Sequence, residues 1–350
     1  MPERVAIMGC GVGGSYLYSL LKRKKPEVEV SIFDIPHHTR CGIKGCAWGV
    51  SSSQFMDLCQ EAHINPHKYI LGVYDHVLLD QSNLRVTYRY ASAEKVKLKA
   101  KVAMIDKPLF IEDMLDGAHP LNPSEANLTT FDRIIDATGF KRAYLSPYPS
   151  PLIINTIQIR AAIEPPSFPT AIINKGGGYT WIFPIGKSEA HVGSGSFQGI
   201  EFTRRVLDEL TKKINVDRII CSCEEQIRCH GPVVPFIEGK VWGLGEAIGL
   251  VDPISGAGIL PAMTSAKLLL ENWDNPRKYE SRVRAKYSYI TREVNMLSKF
   301  SKGRLPGYQE LFCLWPASRN TGISIGPREI INILALTSRV RKGGAEGFFH

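Results

Sequence analysis

The first 34 residues constrain this 350-residue chain more than any other stretch. Arg4-Val5-Ala6-Ile7-Met8 reads as an apolar strand. Gly9-Cys10-Gly11-Val12-Gly13-Gly14 follows at once, then a helical stretch, then Val30-Ser31-Ile32-Phe33-Asp34. Strand, glycine turn, helix, strand and acid in that order make a parallel βαβ unit. Gly9, Gly11 and Gly14 stand at G-x-G-x-x-G spacing. The first glycine allows a tight turn, the second lets a phosphate approach bare backbone, and the third lets helix and strand pack closely. With Val12 and Gly13, they place a pyrophosphate against N–H groups at a helix N-terminus. Asp34 follows Gly14 by 20 residues, where a carboxylate can accept hydrogen bonds from a ribose hydroxyl. The stretch predicts a doubly wound α/β domain that holds a dinucleotide.

The length allows two domains with cores of their own. The composition, 44% apolar and 22% charged, is that of an ordinary globular protein. The opening strand leaves no room for a signal peptide, and no run of about 18 apolar residues predicts a spanning helix. Eight cysteines without a secretory signal predict free thiols in a reducing, cytoplasmic setting. Residues 1–276 carry 29 Lys/Arg and 29 Asp/Glu, whereas residues 277–350 carry 14 and 5, so the whole excess of +9 lies in the last 74 residues. Such asymmetry fits an anionic membrane surface, a nucleic acid or a solvated basic face. No nucleic-acid-binding motif accompanies it.

Along the chain, Arg40-Cys41-Gly42-Ile43-Lys44-Gly45-Cys46 is a glycine-rich loop past the second strand. Residues 51–63 read as a serine-capped helix. Val77–Leu79, Leu84–Tyr90 and Val96–Ile105 read as strands, the last two by alternation. Asp106 opens a short helix, and Phe131–Asp136 is a buried strand running into Ala137-Thr138-Gly139. The prolines of 146–151 mark a boundary. From 152 to 228 the pattern is mostly β, interrupted by a helix over Thr203–Ile214. Gly245-Glu246 and the loop Asp252-Pro253-Ile254-Ser255-Gly256-Ala257-Gly258 form a second glycine-rich centre, with an apolar helix starting at Ile259. Residues 277–300 form an amphipathic helix with a stripe of Tyr279, Val283, Tyr287, Ile290, Val294 and Leu297. Arg277, Lys278, Arg282, Arg284, Lys286 and Arg292 occupy the rest. A last helix is expected from near Pro327 to Val340.

These motifs, in this order, resemble the FAD-dependent monooxygenase-like superfamily. Gly178-Tyr179-Thr180-Trp181-Ile182-Phe183-Pro184, followed by Val192-Gly193-Ser194-Gly195, and Arg40-Cys41-Gly42 resemble its geranylgeranyl reductase family. The resemblance spans roughly residues 1–275. Two departures stand out: Gly245-Glu246 replaces the family's Gly-Asp, and the span between Phe110 and Asp132 is much shortened, with Lys107 where the family has Arg. What covers the adenine beyond Asp34 is therefore left open.

The resemblance implies an FAD-binding domain (1–50, 95–150 and 229–276), an inserted antiparallel β-sheet substrate domain (51–94 and 151–228), and a basic helical region (277–350). FAD would be held by Gly9, Gly11, Val12, Gly13, Gly14, Asp34, Arg40, Cys41, Gly45, Ala137, Thr138, Gly139, Gly245, Glu246, Asp252, Gly256, Gly258 and Ile259. It implies saturation of isolated double bonds in polyprenyl chains by hydride from reduced flavin. An isolated alkene needs an apolar site, for which Tyr179, Trp181, Phe183 and Pro184 are the candidates. Cys46, Cys41 and Tyr179 are candidate proton donors, and Cys41 with Cys46 could instead form a redox disulfide. The electron donor is NADPH or a reduced ferredoxin, and the basic helix is a candidate peripheral contact with the inner face of the membrane. Cys221-x-Cys223 with Cys229-His230 has poor zinc spacing, so no metal is expected. A flavin monooxygenase, a quinone-type oxidoreductase, and a non-catalytic flavin- or lipid-binding protein remain open on the same fold.

Overall fold

The computed structural model describes residues 1–35, 46–80, 95–148, 152–174, 178–301, 310 and 314–326. The strand expected over 84–90, the helix expected from 327, and Arg40, Cys41 and Gly45 lie outside these.

Two sheets organise the described residues. The first has five strands in the order β12-β13-β6-β1-β2. β1 (Arg4–Met8), β2 (Glu29–Phe33), β6 (Arg133–Asp136) and β13 (Val241–Gly243) are parallel; β12 (Ile237–Glu238) is antiparallel. Their inward residues, Val5, Ala6, Ile7 and Ile135, are fully buried, as a sheet covered on both faces requires. Helices α1 (Val12–Lys24), α3 (Lys107–Leu115) and α5 (Ile259–Glu271) pack with this sheet in one core.

The second sheet has eight strands, β11-β7-β10-β9-β8-β4-β5-β3. β7 (Ile153–Ala162), β9 (Tyr179–Ile185), β10 (Glu189–Ser196) and β11 (Arg218–Arg228) are antiparallel neighbours. β4 (Ile70–Asp80) pairs in parallel with β8 (Thr170–Ile173), which departs from the all-antiparallel expectation. β5 (Lys95–Ile105) and β3 (Gly49–Ser51) belong here too. β5 is thus in the second sheet, although 95–150 is expected with the first. Its outer half alternates exposed Lys95, Lys97 and Lys99 with half-buried residues, the mark of a sheet with one wet face. α4 (Ile200–Thr211) covers β7 and β10 through Leu207 and Leu210. α2 (Ser52–Glu61) starts after Ser51, but that side chain makes no capping bond.

α6 (Pro276–Ser301) settles the place of the amphipathic helix. Tyr279, Val283, Tyr287 and Ile290 are fully buried in the first domain's core, and Tyr279 donates its hydroxyl to the Gly243 carbonyl at 2.8 Å. Burial of each large side chain contributes about 1.5–3 kcal/mol. The apolar stripe is thereby committed to the protein, and the six basic residues named above are exposed. α7 (Leu314–Thr321) packs beside it, Asn320 reaching the Tyr289 hydroxyl. No described helix is long and apolar enough to cross a membrane.

Candidate cofactor cleft

The three glycines of the first turn meet three different demands. Gly9 has φ +112°, and a Cβ there would lie 2.4 Å from the Ala137 carbonyl oxygen. A Cβ on Gly14 would lie 1.9 Å from the Gly9 carbonyl oxygen, so helix and loop touch through bare backbone. Gly11 has ordinary angles, φ −62°, and a Cβ would meet nothing within 4 Å. It faces open cleft. α1 begins there with no side-chain cap and no acid in its first turn. Its first N–H groups and the positive end of its dipole are thus offered to an anion.

The adjoining wall, on the neighbouring strand β6, repeats the device. Asp136 is fully buried. One carboxylate oxygen accepts from the Thr138 N–H and hydroxyl at 3.1 and 2.7 Å; the other accepts from the Tyr144 and Leu145 N–H groups at 2.9 and 3.1 Å. This fixes Ala137-Thr138-Gly139 against the cleft. Gly245 follows β13 with φ +61° and donates to the Ser265 hydroxyl at 2.9 Å. Glu246 accepts from the Arg228 N–H at 3.2 Å, while the Arg228 guanidinium clamps the Tyr148 and Phe140 carbonyls at 2.8 Å each. Asp252 shapes the next loop, accepting from the Ile254 and Ser255 N–H groups at 3.0 and 2.9 Å. α5 then starts after Gly258, again with no side-chain cap and no acid in its first turn. Two helix N-termini therefore open on one cleft of about 1050 Å³.

The shortened span closes the far end of the cleft. Asp34 accepts from the Cys10 N–H at 3.0 Å and the Ile35 N–H at 2.8 Å, tying β2 to the glycine turn. Leu121 pairs with the end of β2: its N–H donates to the Ile32 carbonyl at 2.9 Å and its carbonyl accepts from the Asp34 N–H at 3.0 Å. Gly117, Ala118, His119, Pro120 and Pro123, together with Ile111, Glu112 and Leu115 of α3, thus wall the cleft beyond Asp34. Lys107, only 7% exposed, also lines it. Its place after the Asp106 cap, where the family has Arg, was the sequence signal for it. Leu121 and Arg228 gave none that set them apart, whereas Asp136 opens the Asp136-Ala137-Thr138-Gly139 turn on which the resemblance rests.

Gly9, Gly11, Val12, Gly13, Asp34, Cys46, Ala137, Thr138, Gly139, Gly245, Glu246, Gly256, Gly258 and Ile259 all line this cleft; Gly14 and Asp252 stand just behind it. Cys46 is a free thiol, so it is not bridged to Cys41. Its carbonyl accepts from the Gln158 amide at 3.1 Å, and the same Gln158 accepts from the Trp181 indole at 3.1 Å. His191 secures the next residue through the Ala47 carbonyl. Burial pushes this imidazole down to about 3, so it stays neutral. Cys221, expected free, is in a disulfide whose partner lies outside the described residues.

Tyr179, Trp181, Phe183 and Pro184 do not line the cleft. Trp181 lies over Gly193, where a Cβ would come within 2.3 Å of its ring. Phe183 packs against the cluster of Val77, Ala100, Val102 and Met104. Tyr179 abuts the cleft floor: its hydroxyl donates to the Ser255 carbonyl at 2.5 Å. Burial first, then Asp252, push it above the ordinary phenol range, so its proton is firmly held.

No protein-family model matches the chain. An uncharacterised protein of Methanocaldococcus jannaschii is 24% identical over 86% of this chain and 93% of its own length. A digeranylgeranylglycerophospholipid reductase of Methanocella arvoryzae is 31% identical over 99 residues, which are 26% of this chain and 24% of that protein. The match thus spans about a quarter of that reductase. Among solved structures, a geranylgeranyl bacteriochlorophyll reductase-like protein of Thermoplasma acidophilum superposes with a TM-score of 0.69 at 17% identity, covering 96% of this chain and 99% of that one. A tryptophan 6-halogenase of Streptomyces toxytricini gives 0.66 at 12% identity over 99% and 98%. A probable FAD-dependent monooxygenase of Pseudomonas aeruginosa gives 0.57 at 17% identity over 84% and 96%. The chain has the fold that these proteins share: a Rossmann-like domain joined to a large second sheet.

Proposed function

We propose that the chain is an FAD-dependent oxidoreductase that saturates double bonds in polyprenyl (geranylgeranyl) chains of lipids or lipid precursors. The observation that carries the FAD part is the cleft itself. Two uncapped helix N-termini face it, Gly11 leaves room for a phosphate where any Cβ would stand, and Asp34 lies at its ribose end. These residues fit FAD. Gly11, Val12 and Gly13 would hold its diphosphate, Asp34 its ribose, residues 117–123 would cover the adenine, and Glu246 would face the ribityl chain. Bound and reduced, FAD supplies the hydride. The protein's part is to bind, to exclude water, and to keep a proton for the second carbon. Cys46 lines the cleft, as does the buried Cys10, and is the candidate donor, whereas Tyr179 has its proton committed to Ser255. The likeness to the two reductase names supports the polyprenyl substrate. NADPH or a reduced ferredoxin would supply the electrons.

The test is anaerobic. The purified protein should carry FAD, and with a strong reductant and a geranylgeranyl lipid the product should gain two hydrogens per double bond, read by mass. A flavin that reoxidises rapidly in air with hydroxylated product would instead favour a monooxygenase. Absence of any mass gain, with FAD bound and reduced, would rule out the reductase reading.

The same proposal places the protein at a lipid surface. Because the stripe of α6 is buried, contact has to be electrostatic, through the exposed Arg277, Lys278, Arg282, Arg284, Lys286 and Arg292. Co-sedimentation with vesicles containing anionic lipid should be strong at low salt and lost at high salt, since exposed charges are screened within about 10 Å at 0.1 M. Equal binding to neutral vesicles would refute it.

A further inference from the structure

One residue of α6 fits neither its apolar stripe nor its basic face. Glu293 is fully buried and lies against the loop from Asp252 to Gly258. Asp252, 1% exposed, is the residue that shapes this loop. One of its oxygens accepts two backbone N–H groups, as described above. In addition its N–H donates to the Ala257 carbonyl at 3.1 Å, and its own carbonyl accepts from the Gly256 N–H at 2.8 Å. The other carboxylate oxygen, Oδ2, meets no donor, and neither does either oxygen of Glu293. The two carboxyls face each other within hydrogen-bonding reach.

Three buried acceptor atoms without a donor are not a stable arrangement. Among the described residues, the ionisable groups around the pair offer no compensating charge. Tyr179 on β9, Cys229 just past β11 and Tyr289 on α6 are the neighbours that feel it; each is a neutral acid that the carboxyls push further from ionising. Tyr287 on α6 and Glu246 after β13 lie one step further out, and Asn320 of α7 engages the Tyr289 hydroxyl. None of these is a cation. Two carboxylates in contact in such surroundings cannot both ionise. A single proton pairs two of the three atoms, as a Glu293 O–H donated to Asp252 Oδ2.

We propose that Glu293 is a positioning residue for the cofactor cleft: it keeps a proton at neutral pH, donates it to Asp252 Oδ2, and so holds the Asp252–Gly258 loop that presents the N-terminus of α5. The assignment follows from the donors. Asp252 already accepts two N–H groups that favour its charged form, whereas Glu293 accepts none. Burial, then the Asp252 charge, hold Glu293 well above the usual carboxylate range. Its link to FAD rests on the function proposed above; the proton itself does not.

The sign of the pH dependence follows. A carboxyl whose folded pKa is raised takes up a proton on folding. Its contribution to stability is fully present below the ordinary Glu range and is lost as pH rises through the folded pKa. Ionisation would place a second charge behind α5 and loosen the loop, so FAD affinity should fall over the same interval. Glu293→Gln keeps the shape and donates an amide N–H without titrating.

The experiment compares wild-type holoprotein, Glu293→Gln and Glu293→Ala. Infrared spectra at neutral pH should show the carbonyl stretch of a protonated carboxylic acid that Glu293→Gln removes. Wild type should lose melting temperature and FAD affinity as pH rises above neutral, Glu293→Gln should lack that component of the decline, and Glu293→Ala should bind FAD about tenfold more weakly at every pH. Absence of the infrared band, its persistence in Glu293→Gln, or the same pH decline in that variant would overturn the proposal. If no variant binds FAD, the function proposed above fails, while the infrared and melting measurements still decide the proton.

Discussion

Alanine at Gly14 is expected to remove much of the folding stability and to weaken FAD binding with it, whereas alanine at Gly11 should weaken only the second. A methyl at Gly14 would stand 1.9 Å from the Gly9 carbonyl oxygen, a backbone atom in a loop also pressed against Ala137. Nothing flexible can move aside, so β1 and α1 must separate. A loss of about 3 kcal/mol or more is expected, a large share of a marginal total. Gly11 differs in every respect that matters. Its φ of −62° is open to any residue, and its Cβ would touch nothing within 4 Å. As the residue before α1, its replacement by alanine should lower stability by no more than about 1 kcal/mol. The same methyl would occupy the place of a phosphate oxygen, and affinity should fall about 100-fold or more. Urea unfolding without FAD and a flavin fluorescence titration separate the two outcomes. A Gly11→Ala protein that binds FAD as tightly as wild type would mean that no diphosphate lies on this turn.

That contrast shows which parts of the site are legible in a sequence. G-x-G-x-x-G states backbone requirements, and those are local. The same holds for Ala137-Thr138-Gly139, Gly245-Glu246 and Gly256-Ala257-Gly258, which all reach the cleft or its edge. The period of residues 277–300 also reads directly as a helix with one apolar face. What the period cannot state is the occupant of that face, which turned out to be the core around Phe236 and Trp242. β4 shows a different failure. Only Val77–Leu79 is evident in it, because Leu71 and Val73 stand exposed where alternation leads one to expect polar residues. β5 reads correctly as a strand, yet its sheet is decided by its ladder to β4, a partner the pattern does not name. The cleft wall beyond Asp34 depends on a backbone bridge between Leu121 and Phe33 that leaves no trace in side-chain type. Tyr179, Trp181 and Phe183 alternate as expected, but Gly193 gives Trp181 a seat inside the second sheet rather than at the cleft.

Asp136 carries the other large expectation, because it holds the cleft wall that adjoins the glycine turn. Asp136→Ala should destabilise the protein by about 3–5 kcal/mol and weaken FAD binding with it. The carboxylate is fully buried and takes four donors, two at each oxygen. Removing it orphans the N–H groups of Thr138, Tyr144 and Leu145, at about 1–3 kcal/mol for each that finds no water. It also removes a charge that favours the protonated form of Arg142, a buried guanidinium holding the Ser146, Pro235 and Ala247 carbonyls. Asparagine offers little rescue. Its amide nitrogen would face two N–H donors if turned toward Tyr144 and Leu145, and a donor again if turned toward Thr138. Asp136→Asn should therefore still lose about 2 kcal/mol. Urea unfolding at fixed pH, with and without FAD, checks both variants. The stabilisation that FAD adds grows with the logarithm of its concentration over Kd, so a distorted 137–139 turn should shrink that increment as well as the baseline. A stable Asp136→Asn protein with an undiminished FAD increment would show that the wall stands without this carboxylate, and that Gly9 and Gly14 alone shape the cleft.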